Sequence, residues 1–266
     1  KDCETVVFVG GISPQLEGEE MPIEISGFKG GDRTNIELPK VQRNFLKALK
    51  EAGKKVVFVN CSGSAIALTP ETESCDAILQ AWYPGQEGGE AVARVLFGEY
   101  NPAGKLPVTF YKNSEQLPDF KDYSMKGRTY RYMNDALFPF GYGLSYTSFR
   151  IGDAALSNSI LKKGEKITLK IPVSNVGKKD GTEVVQVYVK DPADTEGPLK
   201  SLKAFERVEV KAEKTAEAVI TLDSSNFELF DAATNTVRAK AGKYEVYYGS
   251  SSADKDLKKL DVSIEY

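Results

Sequence analysis

Three glutamates, Glu17, Glu19 and Glu20, stand within four residues in a long loop that follows an apolar run at residues 6–9. Carboxyl groups can give and take protons in catalysis when their pKa values approach the working pH. Like charges held close together disfavour ionisation and raise such pKa values. The cluster therefore predicts that one of the three glutamates acts as a general acid/base.

The loop that carries these glutamates runs from Gly10 to Leu38 and leaves the apolar run through a Gly-Gly turn. Loops of this length without secondary structure of their own are usually functional or disordered. In open α/β folds, ligands bind at the carboxyl ends of the strands. A loop that leaves a strand in this way is therefore the expected place for the chemistry.

The composition removes several other kinds of site. The 266-residue chain has no histidine and a formal net charge of -3. The missing histidine excludes Ser-His-Asp and Cys-His catalysis and the commonest metal ligand. The charge gives no reason to expect nucleic acid or a membrane surface as partner, and no apolar run is long enough to span a bilayer. We expect no metal and no organic cofactor.

The three cysteines, Cys3, Cys61 and Cys75, show none of the spacings of a zinc or redox site. Cys3 and Cys61 fall in or just after predicted buried strands, where a cysteine behaves as a small apolar residue. We therefore expect free thiols in the core rather than a disulfide.

The first half of the chain alternates predicted strands with helices. The strands at residues 6–9 and 56–59 are continuous apolar runs, which is typical of strands covered on both faces, and a third follows at residues 77–80. Pro39 is placed to begin the first helix and Gly53 to end it. Repeated βα units predict a three-layer α/β sandwich, a mostly parallel sheet between helices.

The second half changes to strand-length segments in which apolar and polar residues alternate. Val185, Val187 and Val189, for example, alternate with Gln186 and Tyr188. About seven such segments separated by Gly, Asp and Lys turns predict an all-β, immunoglobulin-like sandwich. We place the α/β domain at residues 1–147 and the sandwich at residues 148–266.

An aromatic-rich segment at residues 111–147 connects the two predicted domains. It shows little periodicity, and rings recur along it. Such rings bury large areas even without regular structure. The segment is either a structural strap across the surface or a surface that faces substrate, and the sequence leaves both open.

Several motifs, taken in order, resemble glycoside hydrolase family 3, the family of β-glucosidases and β-xylosidases. They are LEGEE at 16–20 with GGDR at 30–33, WYPGQEGG at 82–89, AGKLP at 103–107, GRTYRY at 127–132, FPFGYGLSY at 138–146, SNVG at 174–177 and GTEVVQVYV at 181–189. The resemblance covers almost the whole chain.

The resemblance implies a protein of three parts: an N-terminal (β/α)₈ barrel, an α/β sandwich domain, and a fibronectin type III-like domain. This chain is similar to the second and third parts. The family's nucleophile is a barrel aspartate, which no residue here matches, and its acid/base lies in the loop that resembles Glu17-Gly18. The resemblance thus assigns the role to Glu17, with Glu19 and Glu20 as alternatives of register.

The expected activity is that of a retaining, exo-acting β-xylosidase or β-glucosidase. Such an enzyme hydrolyses terminal non-reducing β-linked sugars of plant-type oligosaccharides, and the motif LEGEE with GGDR leans toward the xylosidases. The chain alone is expected to be an incomplete, inactive fragment whose partners are the glycoside substrate and the barrel. The alternative is a non-catalytic carbohydrate-binding or assembly module.

Three further residues are candidates for substrate binding. Asp32 and Arg33 could contact sugar hydroxyls, or they form a local ion pair at the start of a helix. Trp82 could stack on a sugar face, or it is a buried anchor. The resemblance also implies a bacterial protein exported to the periplasm or the medium, and it leaves oligomerisation open.

Overall fold

The computed structural model describes residues 3–17, 23–30 and 32–266. The chain divides into two compact units. The first comprises Lys1–Phe97, Thr109–Gly127 and Asp135–Phe138, and the second comprises Gly98–Val108, Arg128–Asn134 and Pro139–Tyr266. The units therefore alternate along the predicted connecting segment, while the division at residue 147 stays a prediction.

The first unit consists of short strands and helices. In chain order they are β1 (Thr5–Gly11), α1 (Pro14–Glu17), β2 (Phe28–Lys29), β3 (Asp32–Arg33), α2 (Lys40–Glu51), β4 (Lys55–Cys61), α3 (Thr69–Ser74), β5 (Ala77–Gln80), α4 (Gly88–Leu96) and a 3-10 turn at Ser114–Gln116. Strands β1, β4 and β5 form a parallel sheet in that order. Strands β2 and β3, each two residues long, pair antiparallel and form a separate hairpin.

The core of the first unit lies between the sheet and α2. Leu46 of α2 is fully buried, and Phe8 of β1 packs against Phe45 and Phe58 with ring centroids 5.4 and 5.7 Å away. Gly53 ends the helix with a φ of 73°, a left-handed conformation that glycine adopts without steric cost. The predicted helix between Pro39 and Gly53 is confirmed.

The opposite face of β1 differs from the prediction. Val7 and Val9 are 50% and 63% exposed, although Val59, the neighbour of Val9 on β4, is buried. Within the described residues, β1 is thus covered on one face only. Residues 6–9 of β1 are apolar throughout because both faces of the strand carry valine or phenylalanine. Such a sequence does not predict which face is covered by other residues.

The cysteines also depart from the prediction in part. All three are free; Cys75 is buried, Cys61 is half-buried and Cys3 is exposed. Burial, with the neighbouring Glu71 and Asp76 carboxylates, raises the pKa of the Cys75 thiol to about 11. Placing Cys3 in the core was wrong, because β1 begins only at Thr5.

The second unit is an antiparallel sandwich with additional short segments. Its elements are α5 (Thr129–Tyr132), β6 (Phe149–Ile151), β7 (Ala155–Leu156), β8 (Ile160–Lys162), β9 (Ile167–Asn175), β10 (Gly181–Lys190), β11 (Ser201–Val210), β12 (Thr215–Leu222), β13 (Leu229–Asp231), β14 (Thr236–Arg238), β15 (Gly242–Gly249) and β16 (Leu257–Glu265). One sheet has the order β11-β10-β15-β16-β8, with β8 parallel to β16, and the other has the order β12-β9-β6, with β7 also paired to β9.

Alternating side chains of the two sheets form the sandwich core, as the sequence pattern predicts. On β9, Ile167, Leu169, Ile171 and Val173 are buried. On β10 the prediction was incomplete, because the outward-facing residues Gln186 and Tyr188 are buried as well.

Part of the connecting segment covers the outer face of β10. The rings of Tyr130 and Phe140 stack 4.4 Å apart, and both contact Tyr188 edge-on. The Gln186 side-chain amide donates to the carbonyls of Gly141 and Ser250, and the Tyr188 hydroxyl donates to Gln186 Oε1 at 2.5 Å. For these rings the structure supports the strap interpretation.

Candidate functional site

The candidate site lies at the carboxyl edge of the parallel sheet in the first unit. Strand β1 ends at Gly11, β4 at Cys61 and β5 at Gln80. Parallel strands bring their carboxyl ends to one edge, so the segments that follow all three strands meet there. The first of these segments is the loop at residues 10–38 that carries Glu17, Glu19 and Glu20, which we call the glutamate loop.

The root of the loop requires glycine. Gly11 has a φ of 125°, and a Cβ built on it would lie 1.9 Å from the carbonyl oxygen of Cys61. The Gln42 side chain binds the same residue twice: its Oε1 accepts from Gly11 N at 2.8 Å, and its Nε2 donates to Gly11 O at 2.8 Å. Both the conformation and the position of the chain are therefore fixed where it leaves β1.

Helix α1 follows immediately and ends at Glu17. Its first turn is closed by Ser13, whose carbonyl and hydroxyl oxygens both accept from Leu16 N, at 3.0 and 3.2 Å. Leu16 packs against the core of the unit. Glu17 is thus the last residue of a segment anchored to the sheet. Glu19 and Glu20 lie outside the described residues.

The second half of the loop returns to the sheet through the hairpin. Asp32 is exposed and Arg33 is half-buried. Arg33 donates to Asn35 O at 3.1 Å and to Ser64 Oγ at 3.1 Å, and it reaches Glu37 O at 3.4 Å. These contacts give Arg33 a structural role at the end of the loop, whereas binding of sugar hydroxyls by Asp32 or Arg33 stays a prediction.

Glu37, which the sequence analysis did not select, is held as a carboxylate. Its two oxygens accept from the Ser114 backbone N–H at 2.8 Å and from the Ser114 hydroxyl at 2.6 Å. Burial disfavours its charged form, but these hydrogen bonds and the Arg43 charge outweigh burial and leave the pKa of Glu37 below its usual value. A carboxyl with a lowered pKa is poorly suited to donate a proton near neutral pH.

Trp82 follows β5 in a strained conformation. Its φ of 57° is uncommon for a bulky residue, and such outliers occur most often at functional sites. The indole is half-buried and meets the Phe110 ring edge-on, with centroids 6.1 Å apart. The side chain is therefore anchored on one side. Stacking of Trp82 on a sugar face stays a prediction.

Tyr83, which the sequence analysis did not select as a candidate, makes a long-range contact at the start of the loop. Its hydroxyl donates to Ile12 O at 2.8 Å, across 71 positions of the sequence. Within the WYPGQEGG motif, the sequence analysis selected Trp82 as a candidate. No local sequence pattern predicts a contact between residues so far apart in the chain.

A polar network joins the ends of β4 and β5. Asn60 Nδ2 donates to Gln80 Oε1 at 2.6 Å and to Ser62 Oγ at 3.2 Å, and Ser62 Oγ donates to Ser64 O at 2.9 Å. Through Ser64 this network reaches Arg33. The network therefore connects the ends of β4 and β5 to the far end of the glutamate loop at Arg33.

Two general features of the described residues bear on function. Among the described side chains, those of residues 3–16, 23–30 and 32–266, no group of three or more Asp, Glu and Cys residues is arranged to hold a metal ion. In the same part of the chain, none of the helices combines the length and apolar character needed to cross a bilayer.

Two protein-family models match this chain. Residues 1–146 match the Glycosyl hydrolase family 3 C-terminal domain, and residues 183–252 match the Fibronectin type III-like domain. The predicted fold class, an α/β domain followed by an all-β sandwich, is thereby confirmed.

The similar proteins are named as glycosidases. A Xylan 1,4-beta-xylosidase from Xylanibacter ruminicola is 65% identical over 99% of this chain, which corresponds to 30% of that protein. A Periplasmic beta-glucosidase from Salmonella typhimurium is 37% identical over 95% of this chain and 34% of its own length. The crystal structure of a GH3 β-glucosidase from Bifidobacterium adolescentis superposes with a TM-score of 0.84 at 29% identity, over 99% of this chain and 39% of that one.

The chain thus spans about a third of the length of the relatives it matches. The family match extends over the glutamate loop, the carboxyl edge of the sheet and most of the connecting segment. By these matches, the chain belongs to glycoside hydrolase family 3 and corresponds to the family's C-terminal portion.

Proposed function

We propose that this chain supplies the general acid/base, Glu17, to a retaining, exo-acting β-glycosidase that removes terminal β-linked sugars from oligosaccharides. One observation carries the proposal. In a chain of glycoside hydrolase family 3, the segment that ends in Glu17 leaves the carboxyl end of β1 from a glycine fixed by Gln42. Carboxyl ends of parallel strands are where such folds bind ligands.

The chemistry requires two carboxyl groups. In a retaining glycosidase one attacks the anomeric carbon and the other protonates the leaving oxygen, with the two about 5–5.5 Å apart. The described neighbours Glu37 and Glu71 do not suit the second role, because Glu37 is held ionised by Ser114 and Glu71 is buried in an ion pair with Arg43. The proposal gives this role to Glu17, or to Glu19 or Glu20 in another register.

The nucleophile lies on a (β/α)₈ barrel of the same protein in this proposal. Relatives about three times as long support a further domain, and the exposed valines of β1 offer apolar surface that another segment would cover. We expect the 266-residue chain alone to be inactive on nitrophenyl β-xyloside and β-glucoside. Turnover by the purified chain that a Glu17→Gln change abolishes would contradict this.

Glu17 is tested in the full-length enzyme. Glu17→Ala should reduce hydrolysis of alkyl or sugar leaving groups by about 10²–10⁴-fold, since these groups need a proton as the bond breaks. A dinitrophenyl glycoside should give a burst and then a slow steady state, because the same residue activates water in the second step. Azide should accelerate that steady state, because a small anion needs no general base.

Glu19→Ala and Glu20→Ala are the matched controls, and both should keep most of the activity. Azide rescue of Glu19→Ala or Glu20→Ala instead would move the role along the loop. Rescue of none of the three would refute the proposed function of this chain, because the acid/base would then lie outside the loop.

For the sugar, we propose β-xylosides of xylan-type oligosaccharides ahead of β-glucosides. The support is the 65% identity with a protein named Xylan 1,4-beta-xylosidase. The test compares kcat/KM of the full-length enzyme for nitrophenyl β-xyloside and β-glucoside, and a preference for glucoside would overturn this assignment. Export from a bacterial cell is proposed from the similarity to a periplasmic β-glucosidase, and it is checked by cell fractionation.

A further inference from the structure

We infer that Tyr83 is a positioning residue for the acid/base: its hydroxyl fixes the backbone from which the segment carrying Glu17 departs. The inference rests on the proposed role of Glu17. It assigns to Tyr83 no contact with substrate or with the reacting atoms.

The contact is made at the root of the loop. The Tyr83 hydroxyl donates to Ile12 O at 2.8 Å, and Ile12 N donates to Cys61 O at 2.9 Å. Ile12 itself is 1% exposed. The N–H of this buried residue is thus bound to the last residue of β4, and its carbonyl is bound to the segment that follows β5. Ser13, which closes the first turn of α1, comes next.

The surroundings of Tyr83 are shaped for its ring. A Cβ at Gly63 would lie 2.5 Å from Tyr83 Cε2, so any residue larger than glycine there would displace the ring. The preceding residue, Trp82, has the strained φ of 57°. Because the Trp82 indole meets Phe110 while the Tyr83 phenol reaches Ile12, the two rings anchor different segments. Strain of this kind persists only where the surrounding structure imposes it.

The hydrogen bond matters more for geometry than for stability. Without it the Ile12 carbonyl loses a partner in a buried place, and the backbone before α1 can shift toward another donor. A displacement of about 1 Å at a catalytic group can lower a rate about 10²-fold. Glu17 follows Ile12 by only five residues, so a shift at Ile12 is passed to the acid/base.

The test uses the full-length enzyme with Tyr83→Phe, which removes the hydroxyl and keeps the ring. We expect kcat/KM for alkyl β-glycosides to fall about 10–100-fold and that for a dinitrophenyl glycoside to fall less than about 3-fold, because only the former needs a well-placed acid. Hydrogen exchange of the amides at residues 12–17 should become faster. Tyr100→Phe, a half-exposed tyrosine outside the first unit, should change neither measurement.

A second variant reaches the same contact from the other side. Gly63→Ala should displace the ring and carry its hydroxyl away from Ile12 O, although the hydroxyl itself is retained, and it should reproduce both effects. If the two residues act through one contact, the double variant should be no worse than the more severe single variant. Fully additive losses would overturn the inference.

The remaining outcomes separate this inference from the proposed function. Unchanged exchange at residues 12–17 in Tyr83→Phe would refute the positioning role, whatever Glu17 does. Faster exchange with equal losses on all leaving groups would also refute it, while azide rescue of Glu17→Ala would still uphold the proposed function. No azide rescue in any loop variant would refute the proposed function and this inference with it.

Discussion

Both units of the molecule use long-range hydrogen bonds from side chains to backbone carbonyls, but the bonds hold different things. In the α/β unit, the Tyr83 hydroxyl binds the Ile12 carbonyl at the start of the glutamate loop, at the carboxyl edge of the sheet. In the sandwich unit, Gln186 binds Gly141 and Ser250 and seals a strap over the outer face of β10. The first arrangement places a loop, whereas the second covers a sheet.

The difference suggests how function and stability are divided. A bond that places a loop should matter mainly for activity, and a bond that seals a sheet should matter mainly for stability. The ion pairs extend the comparison: both carboxylates are buried, but Arg43, the partner of Glu71 in the α/β unit, is 26% exposed, whereas Arg238, the partner of Asp231 in the sandwich unit, is 50% exposed.

The largest effect on stability is expected for Arg43→Ala. Glu71 is 1% exposed, and Arg43 binds both its carboxylate oxygens, at 2.8 and 3.3 Å. Loss of one partner from a buried ion pair typically costs about 3–5 kcal/mol, because an uncompensated charge stays buried. Urea unfolding should show this loss. The double variant Arg43→Met with Glu71→Leu should recover most of it, and a failure to recover would mean that Arg43 acts through packing instead.

Next in size is Gln186→Leu in the sandwich unit. This change removes the Gln186 amide that binds the Tyr188 hydroxyl and the Gly141 and Ser250 carbonyls, and each buried group left unpaired costs about 1–3 kcal/mol. Thermal unfolding should shift down while kcat of the remaining folded enzyme stays the same. A loss of kcat without a loss of stability would erase the contrast with Tyr83.

The sequence predicted the parts of each unit that depend on local periodicity. It found helix α2 between Pro39 and Gly53, and it found the alternating core positions of β9. It did not predict burial that is caused by residues distant in the sequence. The alternating pattern places Gln186 on the solvent face of β10, but the segment around Gly141, 45 positions away, covers it.

The same limit applies to the candidate site. A triplet of glutamates after a strand is visible in one short stretch, so the loop could be selected from the sequence. The contacts of Tyr83 with Ile12 and of Ser114 with Glu37 span 71 and 77 positions, and no local pattern encodes them. Val7 and Val9 show the converse, since an apolar strand predicts cover that the described residues do not supply.

A smaller effect sharpens the contrast at β1. Val9→Thr keeps the shape of a side chain that is 63% exposed here, so in the 266-residue chain it should change the free energy of unfolding by less than about 0.5 kcal/mol. In a full-length protein that covers this face, the buried hydroxyl should cost about 1–3 kcal/mol. Equal effects in the two proteins would show that the face stays open.

The smallest effect concerns the ion pair of the β13–β14 hairpin. The Arg238 guanidinium hydrogen bond, with help from Thr234 and the Ala233 N–H, holds the pKa of Asp231 below its usual value. A lowered folded-state pKa contributes stability that is present above the unfolded pKa of about 3.9 and is lost as the pH falls through the folded value.

Asp231→Asn should therefore be less stable than the parent near pH 7, and the difference should shrink toward pH 3. The control Asp261→Asn, whose carboxylate is 74% exposed and 3.9 Å from Lys259, should show almost no difference at either pH. A gap between Asp231→Asn and the parent that stays constant from pH 7 to pH 3 would mean that the hairpin depends on the shape of the Asp231 side chain rather than on its charge.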